Sequence, residues 1–166
     1  MKYKDAVNQA ICETLVGKDV VCYGQNVNAG SCISGLCKGI PGVNTQNSEY
    51  TLVGAGFGMM LAGQDSVYFV KQLDFLLLAV DHLVNTWNVL RTMGLESSFT
   101  IVAVMCDTGK DGPQSSFIGF EELLTLADIH GFIVNDMKDV ERLRHRLVMP
   151  GFRVICVRQS LWNEEL

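Results

Sequence analysis

Short runs of apolar and β-branched residues alternate along this chain with longer segments whose apolar residues recur at helical spacing. This alternation is typical of an α/β domain in which helices cover a mainly parallel sheet. A chain of 166 residues suits a single domain over 1–166 and can bury a sizeable core. We therefore predict a three-layer sandwich with strands at Asp19–Tyr23, Ser66–Val70, Phe99–Met105, Gly131–Val134 and Arg153–Arg158.

The spacing of apolar residues also predicts the segments between those strands. Gly24–Gly42 is rich in glycine, serine and asparagine, and we expect one helical turn in it, around Ile33–Lys38. A loop of this length in a compact domain is more often functional than idle. Val43–Asn47 is expected only to lead into the next helix. The predicted helices cover Lys4–Val16, Glu49 to about Ala62, Asp74–Met93, Phe120–Ala127 and Asp139–Leu147.

The segment Asn47–Gly63 has the most unusual composition for a helix. Ser48 is a suitable N-cap, because its side-chain oxygen can accept from the free amides of a helix start, and Glu49 suits the positive end of the helix dipole. Each glycine of the run GAGFG that follows lowers helix propensity by about 1 kcal/mol relative to alanine. We expect another backbone, or a flat ligand, very close to this helix. A tightly packed core helix with a solvated acid at its start is the alternative that these residues leave open.

Composition and charge exclude several classes of function. The net charge is -5, and no basic run gives a footprint for nucleic acid. The N-terminal residues form an amphipathic pattern and not a signal peptide, and the apolar run Phe75–Val80 is too short to span a membrane. We expect a soluble, cytoplasmic protein that binds neither nucleic acid nor membrane. With 48% hydrophobic residues and an all-round apolar start to the Asp74–Met93 helix, it is also expected to bury a subunit interface.

Standard metal, phosphate and nucleophile motifs are absent from the sequence. Cys12, Cys22, Cys106 and Cys156 lie among apolar residues, which predicts buried, reduced thiols. The other two cysteines are the only close pair, and the three histidines are dispersed, so neither a zinc site nor a nucleophilic triad is expected. GAGFGM lacks the spacing of a dinucleotide fingerprint, and Gly109–Gly112 is not a Walker A loop.

Several motifs follow one another in a recognisable order. They are GKDV at Gly17–Val20, GQNV at Gly24–Val27, Ser48-Glu49 before the glycine helix, VYFV at Val67–Val70, Asp74-Phe75 with Asp81 and Asn85, and GPQSS at Gly112–Ser116. Their order and spacing resemble the pyrimidine-binding domain of thiamine-diphosphate-dependent enzymes, in the transketolase-like branch. The likeness is greatest to the beta subunit of 2-oxoacid dehydrogenases, and it covers nearly the whole chain. It implies the thiamine-diphosphate-binding fold of that domain.

The resemblance implies roles for two residues at the cofactor. The acid that matches Glu49 hydrogen-bonds ring nitrogen N1′ of the aminopyrimidine, which favours the imino tautomer whose nitrogen removes the proton at thiazolium C2. An acid in a dry pocket can share that proton at neutral pH, because burial favours its neutral form. Phe75 matches the aromatic residue that stacks on the pyrimidine, although a core phenylalanine is an open alternative. Gln72 is expected beside the cofactor.

Two departures from the family pattern affect the substrate side. Where the family has the pattern QHS after the third predicted strand, this chain has Gln114, Ser115 and Ser116, so the histidine that handles substrate protons is missing. Phe69 stands where a glutamate is common, and Lys71 adds a positive charge nearby. We expect Lys71, Gln114 and Ser115 to face the substrate.

The resemblance also implies that the cofactor site is shared between chains. The GDG-plus-Asn motif that holds the diphosphate through Mg²⁺ does not occur among these residues, and we expect no C-terminal domain of the kind common to the beta subunits. The expected partner is a diphosphate-binding, alpha-type subunit that binds the Mg²⁺, in an α2β2 assembly, and no metal ligand is expected in this chain. The implied reaction is decarboxylation or dehydrogenation of a 2-oxoacid, or ketol transfer, through a C2 carbanion.

Two other functions stay open. A non-catalytic regulatory or assembly partner could keep this fold, which the missing histidine and the missing domain favour. A free-standing nucleotide-binding α/β domain is the third interpretation.

Overall fold

The computed structural model describes residues 1–108 and 118–166. Within them lies a six-stranded sheet of order β2-β1-β3-β4-β6-β5, and every neighbouring pair is parallel. The predicted α/β fold with a parallel sheet is thus confirmed. The strands are β1 Val21–Gly24, β2 Gly42–Asn44, β3 Ser66–Val70, β4 Ser98–Met105, β5 His130–Val134 and β6 Gly151–Arg158.

Helices cover both faces of this sheet, which gives the predicted three layers. The α-helices are α1 Tyr3–Leu15, α2 Glu49–Leu61, α3 Trp87–Leu90, α4 Phe120–Ala127 and α5 Met137–Arg146. α1 and α5 pack together on one face, and α2, α3 and α4 lie on the other.

Strand β4 shows why the sheet needs both layers. All eight of its residues are buried, as in a central strand covered on both sides. Val102 and Val104 join the core beneath α1 and α5, whereas Ile101, Ala103 and Met105 join the core beneath α2. Successive side chains of a strand point to opposite faces, so this apolar run fills two cores at once.

The chain between β1 and β2 differs from its prediction. Val43 belongs to a short edge strand, β2, which the sequence analysis treated only as a lead into α2. The turn expected around Ile33–Lys38 is not helical, because Cys32, Ile33 and Ser34 have positive φ angles of 47°, 52° and 54°. Three successive left-handed residues other than glycine are rare, since Cβ crowds the backbone there.

The predicted long helix Asp74–Met93 is a composite. It begins as a 3₁₀ helix at Leu73–Ala79, passes through a π-helical segment at His82–Thr86 and ends as α3. Within this chain Leu78 is 64% exposed, so complete burial of this segment would depend on the expected subunit interface.

The cysteines are thiols, and most of those predicted to be buried are buried. None of the six cysteines, all of which lie in the described ranges, forms a disulfide; Cys22, Cys106 and Cys156 are buried as predicted, while Cys12 is half-buried. Within the described ranges, no helix has the length and apolar character needed to cross a membrane. No group of three side chains suited to a metal ion occurs there either.

Candidate functional site

The candidate site lies at the carboxyl edge of the sheet, where ligands of open parallel sheets bind. β2 ends at Asn44, and the chain then turns into α2, whose first residue is Glu49. β3 ends at Val70 and leads through Lys71 and Gln72 into the 3₁₀ helix. Since all strands are parallel, these two connections leave the sheet at the same edge.

The start of α2 is built differently from its prediction. The Ser48 side chain caps no helix amide; its hydroxyl donates to Thr51 Oγ1 at 2.8 Å. The first turn is closed by the backbone alone, through Leu52 N–H to the Ser48 carbonyl at 2.8 Å. The end of α2 agrees with expectation, because Gly63 has a φ of 81° and its N–H donates to the Met60 carbonyl.

Glu49 is a buried acid without a donor. Its residue is only 9% exposed, and no described side chain or amide hydrogen-bonds or pairs with its carboxylate. Burial raises the pKa of the Tyr68 phenol on β3, and the charge of Glu49 raises it further, so the two groups lie close together. The residue as a whole is largely buried, but its carboxylate oxygens are not among the buried side-chain atoms without a partner, so they keep contact with solvent at this edge.

Thr45 is a second polar group without a partner at this edge, and the sequence analysis missed it. Its amide donates to the Gly24 carbonyl at 3.0 Å, but its buried hydroxyl oxygen has no partner in the described chain. The local sequence does not predict that the Thr45 hydroxyl is buried, because its burial results from the pairing of β1 with β2.

The glycines of α2 allow aromatic rings to approach the helix. A Cβ at Gly54 would lie 2.7 Å from His82 Nε2, and one at Gly56 would lie 2.2 Å from the Phe99 ring. Side-chain rings, and neither another backbone nor a flat ligand, make the close approach to α2 at these two positions. Gly58 faces open space, with nothing within 4 Å of a Cβ.

His82 connects α2 with the π-helical segment. Its ring lies 4.2 Å from the Tyr50 ring, centroid to centroid, and its Nδ1 is 2.8 Å from Thr86 Oγ1. π-helical turns are frequent at functional sites. Here the segment places an imidazole over the second turn of α2, one turn along the helix from Glu49.

The other predicted site residues are distributed as follows. Gln72 is buried immediately before the 3₁₀ helix, Phe75 is half-buried against the core beneath α2, and Lys71 is exposed. The 3₁₀ helix packs against α2, so Gln72 and Phe75 approach the helix that Glu49 begins. Gln114 and Ser115 lie outside the described residues.

A polar network at the end of β4 also escaped the sequence analysis. Asp107 accepts from Arg158 Nε at 2.8 Å, from the Ser160 amide at 2.8 Å and from the Ser160 hydroxyl at 2.7 Å. Burial alone would raise the pKa of Asp107, but the hydrogen bonds from Ser160 and Arg158 lower it overall. The network ties the start of the loop after β4 to the end of β6.

Comparison with known proteins supports the fold. No protein-family model matches the sequence, and no curated protein matches it. Among solved structures, a split-gene transketolase described as an inactive beta4 tetramer is similar, with a TM-score of 0.64 and 16% identity. The chain has a transketolase-like fold. The match covers 93% of this chain and 50% of the transketolase chain, so this chain spans half the length of that relative.

Proposed function

We propose that residues 1–166 form one pyrimidine-binding domain and serve as a subunit of a split thiamine-diphosphate-dependent enzyme. The observation that carries the proposal is Glu49, a largely buried acid at the carboxyl edge of the sheet whose carboxylate has no donor among the described residues. A ring nitrogen that shares a proton with this carboxylate would supply the missing hydrogen bond. The transketolase-like fold supports the same assignment, because that solved relative is itself the product of a split gene.

The residues at the carboxyl edge fit an aminopyrimidine ring. Glu49 would hold the proton at ring nitrogen N1′, and the half-buried ring of Phe75 would lie against the pyrimidine face. Gln72 and the unpartnered hydroxyl of Thr45 offer further polar contacts. When bound, thiamine diphosphate supplies a nucleophilic carbon for cleaving or forming a bond next to a carbonyl group.

The substrate would be a 2-oxoacid or a ketose. Lys71 is exposed at this edge and would attract its carboxylate or phosphate group. Gln114 and Ser115 are proposed to face the substrate as well.

A separate diphosphate-binding, alpha-type subunit would complete the site and bind the Mg²⁺. Apolar side chains near the start of α2 are available for it, since Tyr50, Leu77 and Leu78 are all exposed. An α2β2 assembly would bury these side chains against the partner subunit.

The test begins with purification of the tagged chain from its native host and identification of the chain that co-purifies in stoichiometric amount. The reconstituted complex is then assayed for thiamine-diphosphate-dependent turnover of 2-oxoacids and ketoses. Glu49→Gln should lower turnover by about 100-fold or more, as expected for loss of a proton-transferring group. Glu122→Gln, an exposed acid in the first turn of α4, is the matched control and should leave turnover unchanged.

Two outcomes separate the candidate functions. Full turnover by Glu49→Gln would refute the role of this acid. A stable complex that shows no turnover even with the wild-type chain would instead favour a non-catalytic regulatory or assembly subunit. The missing histidine in the sequence Gln114-Ser115-Ser116 is the observation that favours this second candidate.

A further inference from the structure

A cationic cavity lies at the amino edge of the sheet, opposite the Glu49 site. Its volume is about 820 Å³, within the range of small-molecule pockets. Arg153, the third residue of β6, lies beside Thr100 and His130, which stand near the starts of β4 and β5. The cavity walls come from these strand starts, from α5 and from the end of the 73–90 segment.

The charge of this cavity opposes that of the protein. Four of the six arginines line it, namely Arg91, Arg142, Arg146 and Arg153, in a chain whose net charge is -5. Asp128 is the one carboxylate among the lining residues of the described chain, and it pairs with Arg91. No described carboxylate forms an ion pair with the other three arginines. The cavity therefore holds an excess of about three positive charges.

Arg153 makes part of this charge permanent. The residue is 4% exposed, and its guanidinium donates to Thr100 Oγ1 at 3.0 Å and to the carbonyls of Arg146, Pro150 and Gly151 at 2.9, 2.7 and 3.1 Å. These acceptors are neutral, so they fix the side chain without cancelling its charge. Burial, followed by the charge of Arg146, lowers the pKa of Arg153 to about 10, so the group remains charged at neutral pH.

Arg142 and Arg146 are the more accessible members. Both are exposed residues of α5, and the guanidinium of Arg142 lies 4.1 Å from the centre of the Phe132 ring. This contact holds the cation against the cavity wall. Phe132 and Trp87 also line the cavity and give it an aromatic surface beside the arginines.

We propose that this cavity binds a small organic anion, whose phosphate or carboxylate groups contact Arg142 and Arg146 and whose body lies against Trp87 and Phe132. Guanidinium groups bind both kinds of anion through paired, charge-assisted hydrogen bonds. Arg153 contributes its fixed charge from the cavity floor. This site does not depend on the function proposed above, since the two lie at opposite edges of the sheet.

Calorimetric titration of the full chain tests the proposal, with inorganic pyrophosphate, ATP and citrate as probes at low and at physiological salt. We expect saturable 1:1 binding of at least one probe with a Kd below about 1 mM. The variant Arg142→Gln/Arg146→Gln should weaken it by about tenfold or more, because two charge-assisted contacts are lost. Lys138→Gln removes one charge from an exposed residue of the same helix outside the cavity, and it should change Kd by less than about twofold.

Several results would overturn the assignment. Absence of saturable binding of all three probes by the wild type is one, and equal affinity of the double variant and the wild type is another. If pyrophosphate bound more tightly than ATP, the organic part of ATP would gain nothing from Trp87 and Phe132, and this would refute the role proposed for these two side chains. Circular dichroism of each variant confirms that the substitutions leave the fold intact, which their exposed positions predict.

Discussion

Alanine substitutions at Gly56 and Gly58 should change stability in opposite directions, although both positions lie in α2. A Cβ at Gly56 would lie 2.2 Å from Phe99 Cζ and 2.6 Å from the Tyr23 hydroxyl. The Phe99 ring cannot move away easily, because it is fully buried and packs against Phe57 and Phe152 with centroid distances of 5.1 Å each. Gly58 is exposed, with nothing within 4 Å of a Cβ.

The expected magnitudes follow from two effects. Alanine favours the helix over glycine by about 1 kcal/mol at either position. Forcing an extra methyl group into a well-packed core costs about 3 kcal/mol at the upper end of its usual range, which suits a contact this short. Gly56→Ala should therefore lower the free energy of unfolding by about 2 kcal/mol, and Gly58→Ala should raise it by about 1 kcal/mol.

Urea denaturation followed by circular dichroism measures both values in one series. A difference of about 3 kcal/mol between the two variants is far larger than the error of the extrapolation. Equal stability of Gly56→Ala and the wild type would show that the rings do not touch this helix as described. Destabilisation by Gly58→Ala would show that its exposed face is covered in solution.

Two further predictions concern buried polar groups. Tyr3→Phe should destabilise the chain by about 1–3 kcal/mol in urea denaturation. The reason is that the Tyr3 hydroxyl donates to the Val134 carbonyl at 2.7 Å and accepts from the Arg158 amide at 3.1 Å. Unchanged stability of this variant would contradict the prediction. Asp107→Asn should lower stability at pH 7 by about 2 kcal/mol, since the charged hydrogen bonds to Arg158 and Ser160 are weakened. The pKa of Asp107 in the folded chain lies below its ordinary 3.8, so its stabilisation is complete well above that pH and is lost as the pH falls through the folded value. Equal loss of stability by wild type and variant between pH 6 and about pH 3 would refute the linkage.

The central strands could be predicted from local sequence, and the edge strand could not. β4 ends in five successive apolar residues, 101–105, because a strand buried on both faces has few polar positions. β2 has only three residues, and Val43 is exposed, so neither length nor alternation marks it. Its existence depends on pairing with β1, which is a non-local fact.

The helical segment after β3 shows a different limit. Its apolar residues predicted a helix, and the chain there is helical over most of 73–90. The change from 3₁₀ to π geometry places His82 against Gly54, and that contact belongs to the packing of two elements. The spacing of apolar residues in the sequence therefore does not predict the contact between His82 and Gly54.

Only residues that belong to a family pattern could be assigned to the candidate site from the sequence. Glu49 and Phe75 were assigned from the resemblance, whereas Thr45 and Asp107 came from contacts that join distant parts of the chain. The cationic cavity was missed because its lining residues come from strand starts, from α5 and from the end of the 73–90 segment, which are far apart in sequence. One local signal was present: Arg153 stands inside an otherwise apolar strand, where an arginine must have fixed acceptors.

α2 combines two features that lower stability, and the structure explains only one of them. Gly54 and Gly56 are explained by packing, since His82 and Phe99 occupy the space that side chains would need. No such contact explains Glu49, because no described donor holds its carboxylate and a glutamine of nearly the same shape would fill the same volume. Natural sequences keep local conflicts of this kind mainly at functional sites. The acid at the start of this helix, and not its run of glycines, is therefore the feature that points to a ligand.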